Sequence, residues 1–409
     1  MHRSVAILGG GPAGSTLAAL LSRAGHRVGV FDVPAPRDLI VGESLVPAVV
    51  PMLRMLGVEE QVAKCSLRKQ GATITRGRGR PFVLSFDEAR GQLPSYSYNV
   101  PRAEFDQILR GAAEAAGAAR FPHRVRLVAK PGQRVELSSE SRDVTNGYFG
   151  PSGPDLVVDC SGRARLIARL LELPVTRGER RDVALFAHFD RCALHRPTDI
   201  HVDRHRRGWG WRIPLRDRVS LGVVVDSEHL AGADSSEDAF DRFVYGERRL
   251  RSFIGTGRRM SKVARYSNYQ LQSRSLVGPG WVLCGDAGGF ADPIFSTGTY
   301  LAMKGATSLA EAISARSRAA LFGYEERWLN ELTEWKRIID LWYAGRLFAL
   351  LRLGNVMRRN PPGLLIDDHI TKHMTRIFTG EAGLRGYSRT LLRAVAPLGR
   401  LGARELAIA

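Results

Sequence analysis

The chain has 409 residues, 44% hydrophobic, 25% charged and 8% aromatic, the balance of a globular protein with room for two or three domains, which excludes a fibrous or a disordered chain. Sixty Lys and Arg against 41 Asp and Glu leave a formal net charge of +19, and a field of that sign attracts acidic partners such as nucleic acid, anionic lipid or an acidic protein. Cys65, Cys160, Cys192 and Cys284 form no CxxC pair and no finger spacing with histidine, so neither a disulfide framework nor a metal site is expected.

The N-terminal apolar run is too short for a signal-peptide core and passes straight into a glycine turn. The most apolar late stretch, Leu341 to Leu353, is broken by Arg346 and Arg352, which leaves no membrane span. A cytoplasmic location is the expectation.

In chain order, Val5–Leu8 reads as a strand, Gly9 to Gly14 as a glycine turn, Thr16–Leu21 as an amphipathic helix closed by Gly25, and Arg27–Phe31 as a second strand ending at Asp32. This is a βαβ opening of an α/β, Rossmann-like fold. From Arg181 to Ser273, β-rich runs at Val183–Phe189, Asp199–Val202, Trp209–Ile213, Ser220–Val225 and Tyr266–Gln272 alternate with polar turns and predict an antiparallel sheet. A short buried strand at Trp281–Cys284 then leads back to the first domain, with a helix from about Gly298. The division expected is therefore 1–75, 97–180 and 274–330 for a discontinuous nucleotide domain, 76–96 and 181–273 for the sheet domain, and 331–409 for a basic helical C-terminal segment. Leading into that segment, Trp328, Trp335 and Trp342 recur every seven residues on one helical face, a packing pattern.

Gly9-x-Gly11-x-x-Gly14 follows a strand, opens a helix and is answered eighteen residues later by Asp32 at a strand end. Gly9 permits the tight turn, Gly11 lets the backbone approach a pyrophosphate, and Gly14 lets helix and strand close up, while Pro12 and Ala13 start a helix whose N-terminus faces the anion. Asp32 is placed to accept hydrogen bonds from a ribose. The pattern predicts a dinucleotide site but does not choose between NAD and FAD.

Three later segments resemble the flavoprotein group that contains aromatic hydroxylases and tryptophan-type halogenases: Gly42-Glu43-Ser44-Leu45, Pro101-Arg102-Ala103-Glu104-Phe105-Asp106, and Gly285-Asp286-Ala287 through Asp292-Pro293. The resemblance implies FAD, with Glu43 and Ser44 beside it, Arg102 toward its phosphate or adenosine side, and Asp286 on the ribityl chain. It places the backbone of Pro293, Ser296, Thr297 and Gly298, at the start of a helix, against the flavin edge. Asp155–Arg163 resembles the family's strand and glycine turn but lacks the Asp-Gly pair of self-reducing hydroxylases, which implies a separate flavin reductase or electron donor.

Trp209-x-Trp211-x-Ile213-Pro214 resembles the W-x-W-x-I-P signature of flavin-dependent halogenases. On a strand both indoles point to one side, where they either line a wall over the flavin or simply pack as core aromatics. Lys69-x-Gly71-Ala72-Thr73 resembles the segment carrying the catalytic lysine of phenol- and pyrrole-halogenating members, whereas Ile74, Thr75 and Arg76 depart from the aromatic residues usual after it. Lys69 is then either a catalytic ammonium or a solvated lysine beside Arg68.

What the resemblance implies is an FAD-dependent monooxygenase working through a flavin C4a-hydroperoxide. The first reading is hydroxylation of an indole or phenol ring, including a tryptophan of an acidic protein or peptide, as in the flavoproteins of tryptophylquinone biogenesis. The alternative is halogenation of a free or carrier-protein-bound aromatic. A third reading, a non-catalytic flavin-fold scaffold binding nucleic acid or membrane, finds few stacking aromatics in the basic tail, so no nucleic-acid partner is expected.

Overall fold

A computed structural model describes residues 3–33, 39–76, 81–129, 132–205, 207–267, 270–357 and 361–381, with short pieces at 386–387, 390–391, 397 and 407–408. The part of the expected basic C-terminal segment beyond Glu381 lies largely outside these residues. Among them, no helix is long and apolar enough to cross a membrane.

The opening βαβ unit forms as its pattern dictates. Strand Ser4–Leu8 pairs in parallel with Arg27–Phe31 on one side and Leu156–Asp159 on the other, and helix Pro12–Arg23 connects the first pair. Leu156–Asp159 carries Trp281–Leu283 in parallel on its far edge. The result is a six-stranded, mainly parallel sheet, and its central strands are buried almost throughout, as the continuous apolar runs of a parallel sheet are. Helix Thr297–Ser314 packs against Pro12–Arg23.

The second sheet has seven strands, in the order Ala264–Ser267, Asp182–Phe189, Val219–Asp226, Gly208–Pro214, Ile200–His205, Gly71–Arg76, Phe82–Ser85. It departs from the sequence reading in three respects. The pairing of Gly71–Arg76 with Ile200–His205 is parallel, so the sheet is not wholly antiparallel. The strand bearing the expected 75/76 division lies entirely in this sheet. Tyr266–Gln272, expected as one strand, contributes to two: Ala264–Ser267 stays in the large sheet, and Leu271–Ser273 pairs with Val175–Arg177 and Gly289–Phe290 in a third.

The two faces of the large sheet are sorted by side-chain alternation. Val183, Leu185, Ala187, Phe189, Leu221 and Val223 face one way, into a small core with Phe240, Val244, Leu250 and Ile254. Ala184, Phe186, Val224, Trp209 and Trp211 face the other way, into the main core shared with the parallel sheet. The tryptophans thereby project toward the nucleotide half. Trp328, Trp335 and Trp342 are buried on helix Arg318–Tyr343, as a seven-residue packing repeat requires.

Gly222, on the strand beside Gly208–Pro214, is opposite Trp211 in register, and a Cβ there would overlap the Trp211 ring. Gly222→Ala is expected to displace that indole and cost about 1–3 kcal/mol, measured as a shift in the urea midpoint at unchanged m-value.

Candidate functional site

A cavity of about 1110 Å³ runs between the two sheets, lined at one end by Gly9, Gly10, Gly11, Pro12, Ala13 and Asp32 and at the other by Trp209, Trp211 and Ile213. At the glycine turn the local geometry follows from the residue types. Gly9 has φ +105°, and a side chain on it would strike the Cys160 carbonyl, while one on Gly14 would overlap the Gly9 carbonyl. Gly14 thus closes helix onto strand from behind the cavity. A Cβ on Gly11 would meet nothing within 4 Å, and Gly11 caps the helix with no side-chain hydrogen bond, which leaves a cradle at the positive end of the helix dipole. Gly10, a position the fingerprint leaves unspecified, is glycine because a Cβ would press on the Asp32 carboxylate.

Asp32 lies at the strand end with Arg110 and Arg120 each 3.9 Å from its Oδ2, and both arginines line the cavity. Sequence reasoning missed them because they arrive from a different helix and strand. Arg102 lines the cavity with its guanidinium held by Asp106, at 3.1 and 3.2 Å, and by the Val41 carbonyl, so it also anchors the segment Val41–Ser44. Asp286 lines the middle of the cavity; burial pushes its carboxyl up to about 6, partly offset by Arg102 and Arg163. Pro293, Ile294, Ser296, Gly298 and Thr299 complete that wall, with Ser296 in the left-handed region at φ 57° as the residue before helix Thr297–Ser314. Thr297 is buried and is not part of the lining.

Glu43 and Ser44 line the cavity too. The Glu43 carboxylate meets His188 Nε2 at 2.8 Å, both groups being buried, a pairing across 145 residues that gives no local sequence signal. Lys69 is 2% exposed, which removes the solvated alternative. Its Nζ donates to Ser44 Oγ and to the Leu45 carbonyl, each at 2.9 Å, so it sits behind Ser44 rather than in the lining itself. Burial lowers its ammonium to about 7, with Asp199 pulling the other way. Asp199 is held by Thr73 Oγ1 at 3.0 Å, and Gly71 leaves room for its carboxylate.

On the tryptophan wall, the Trp209 and Trp211 centroids are 5.8 Å apart and Phe186 lies 5.7 Å from both Trp211 and Tyr266. Trp209 Nε1 donates to Tyr343 Oη at 3.0 Å and Trp211 Nε1 to Ser220 Oγ at 3.3 Å. His201 and His205 lie on a strand, not a helix, and among the described residues no three His, Cys, Asp or Glu are grouped to hold a metal.

A glycine-turn cradle opening onto an apolar aromatic wall fits a dinucleotide-binding enzyme, and the comparisons name its class. Residues 4–94 and 85–346 match the tryptophan halogenase family. A 1H-pyrrole-2-carbonyl-[peptidyl-carrier protein] chlorinase of Pseudomonas fluorescens is 29% identical, with 83% of each chain covered. A tryptophan 2-halogenase of Chondromyces crocatus is 28% identical over 76% of this chain and 61% of its own. Among solved structures, the flavin-dependent brominase Bmp2 covers 98% of this chain and all of its own at TM-score 0.77 and 22% identity. Halogenase PltM in complex with phloroglucinol and FAD covers 98% of this chain and 92% of its own at TM-score 0.74 and 15% identity; these two likenesses establish the fold. The chain belongs to the tryptophan halogenase family, and its cofactor is FAD.

Two outcomes follow. Gly11→Val fills the cradle without touching the core, so the variant is expected to fold while its FAD affinity, read by flavin fluorescence titration, falls roughly tenfold or more. Lys69 binds its proton less tightly in the folded chain than in the unfolded one. Its contribution to stability therefore grows as pH rises from about 7 toward the unfolded lysine value near 10.4. The stability difference between wild type and Lys69→Met, from urea melts, is expected to shift in favour of wild type across that window.

Proposed function

We propose that the protein is a flavin-dependent halogenase of an electron-rich aromatic ring, with Lys69 as its catalytic residue. The observation that carries this reading is a single buried lysine amine, brought near neutrality, bonded to a side chain that lines the same cavity as the glycine turn and the tryptophans. FAD, when bound in reduced form, supplies the two electrons with which dioxygen oxidises a halide to hypohalous acid.

In this reading Gly9 to Gly14 and Asp32 hold the pyrophosphate and adenosine ribose, Arg102 braces the segment beside them, and Asp286 takes the ribityl hydroxyls. The turn from Pro293 to Gly298 would meet the flavin edge, with the Thr297 and Gly298 N–H groups at the helix start as the donors. Trp209, Trp211 and Phe186 exclude water from the space beyond. Lys69 would then either hydrogen-bond the hypohalous acid and direct it onto the ring, which exchanges a proton for the halogen as one water forms, or take the halogen as a haloamine with release of that water and pass it to the ring in exchange for the ring's proton.

The chlorinase relative acts on a pyrrole-2-carbonyl group borne by a peptidyl carrier protein, and the net charge of +19 suits an acidic carrier. We therefore assign the substrate to the carrier-bound aromatic acyl class and the electrons to a separate reductase. The expected division at 75/76 moves to 70/71, because Gly71–Arg76 belongs to the large sheet: the cofactor part is read as 1–70, 97–180 and 274–330 and the substrate wall as 71–96 and 181–273, with helix Arg318–Tyr343 running across the 330/331 boundary.

A second reading, hydroxylation of an indole or phenol ring such as a protein-borne tryptophan, is favoured by the position of Lys69 behind Ser44, outside the cavity lining. Product mass after aerobic turnover with reduced FAD and chloride separates the two. A gain of about 34 Da supports halogenation and about 16 Da hydroxylation. Lys69→Met is expected to lower halogenated product on the order of a hundredfold or more while oxygen consumption by the reduced flavin persists.

A further inference from the structure

Behind the tryptophan wall runs a chain of hydrogen bonds that the assignments above leave unused. Trp209 Nε1 donates to Tyr343 Oη at 3.0 Å, and Tyr343 Oη donates to Asp292 Oδ2 at 2.8 Å. The carboxylate also accepts from the Ile294 N–H on Oδ1 at 2.9 Å and from Gln270 Nε2 on Oδ2 at 3.3 Å. The Arg180 guanidinium lies 3.9 Å from the Tyr343 ring centroid and is itself fixed by Asp182 at 2.7 and 2.8 Å. All the members from Trp209 to Asp292 are buried.

Three features separate this chain from ordinary packing. Among the described residues the buried indole nitrogens of Trp328, Trp335 and Trp342 have no hydrogen-bond partner, whereas Trp209 has one brought to it by the last residue of a 26-residue helix. Trp209 lines the cavity, and so do Pro293 and Ile294, which directly follow Asp292. The chain therefore touches the cavity at both ends, at the tryptophan wall and at the turn before helix Thr297–Ser314. A carboxylate, phenol and indole in series also polarise one another, so a change at one end is felt at the other.

We propose that Tyr343 and Asp292 are positioning residues whose hydrogen-bond chain fixes the Trp209 indole against the reaction cavity and ties its orientation to the protonation of Asp292. The proposal deepens the halogenase reading and rests on it for the identity of the reaction, though not for the behaviour of the chain. Asp292 is faced by Asp182, Arg180, Tyr343 and Gln270. Burial, reinforced by Asp182, pushes its carboxyl up to about 7. Above that pH the carboxylate accepts from Tyr343 and Ile294 together. Below it, the added proton turns one oxygen into a donor, the bond from Tyr343 weakens, and the indole is held less firmly.

The test uses the full-length protein with ¹⁵N-labelled tryptophan, following the indole N–H resonances from roughly pH 5.5 to 8.5, with Trp209→Phe assigning the signal. The expected result is a Trp209 N–H that moves upfield as pH falls through neutrality. Asp292→Asn is expected to abolish the titration. Tyr343→Phe, which removes one oxygen from a folded core, is expected to abolish it and to speed hydrogen exchange at this proton about tenfold. The FAD-loaded Tyr343→Phe protein is expected to lose a several-fold share of product to hydrogen peroxide. A Trp209 signal that stays still in wild type, or is unchanged in Tyr343→Phe, overturns the proposal. A titrating signal in a protein that forms no halogenated product upholds it while removing the halogenase reading.

Discussion

The arrangement depends on one interaction: a lysine amine is held out of water directly behind the lining of the large cavity. An isolated buried ammonium is costly, and the chain offsets this in two ways. Ser44 and the Leu45 carbonyl accept from Nζ at 2.9 Å, and burial moves the group to about 7, where the neutral amine is accessible. The segment that supplies both acceptors is the one that lines the cavity beside the glycine turn, braced through Val41 by Arg102. The cavity lining and the placement of the lysine are therefore set by the same short segment.

Around that point the two sheets divide the work. The parallel sheet delivers the ends of Ser4–Leu8, Arg27–Phe31 and Leu156–Asp159 to one side of the cavity, the usual place for a ligand in an open α/β sheet. The large sheet turns one face to its own small core and the other, bearing Phe186, Trp209 and Trp211, to the shared space. Helix Arg318–Tyr343 closes the rear, packing through its own Trp328, Trp335 and Trp342 and placing the Tyr343 hydroxyl beside Trp209 Nε1.

What could be read from the sequence was what is local. The strand, glycine turn and helix at residues 4–31 follow from period and turn chemistry within thirty residues, and the Trp209–Trp211 alternation told which side chains share a face. Lys69 was visible as a candidate, but its burial was not, because two of its partners come from Ser44 and Leu45 and its neighbouring charge from Asp199. Arg110, Arg120, His188, Tyr266 and Tyr343 could not be seen at all: each reaches the site from an element with no motif of its own. The parallel pairing of Gly71–Arg76 with Ile200–His205 was hidden for the same reason, since it joins strands more than a hundred residues apart and polar and apolar alternation looks alike in either direction.

The most direct measurement is a crystal structure of the protein with FAD and bromide. The account predicts the isoalloxazine between the Pro293–Gly298 turn and the Trp211 face, the adenosine at Asp32, and Lys69 Nζ still bonded to Ser44 at the edge of the same space. A ring seated elsewhere, or a Lys69 side chain swung out to solvent, would contradict it.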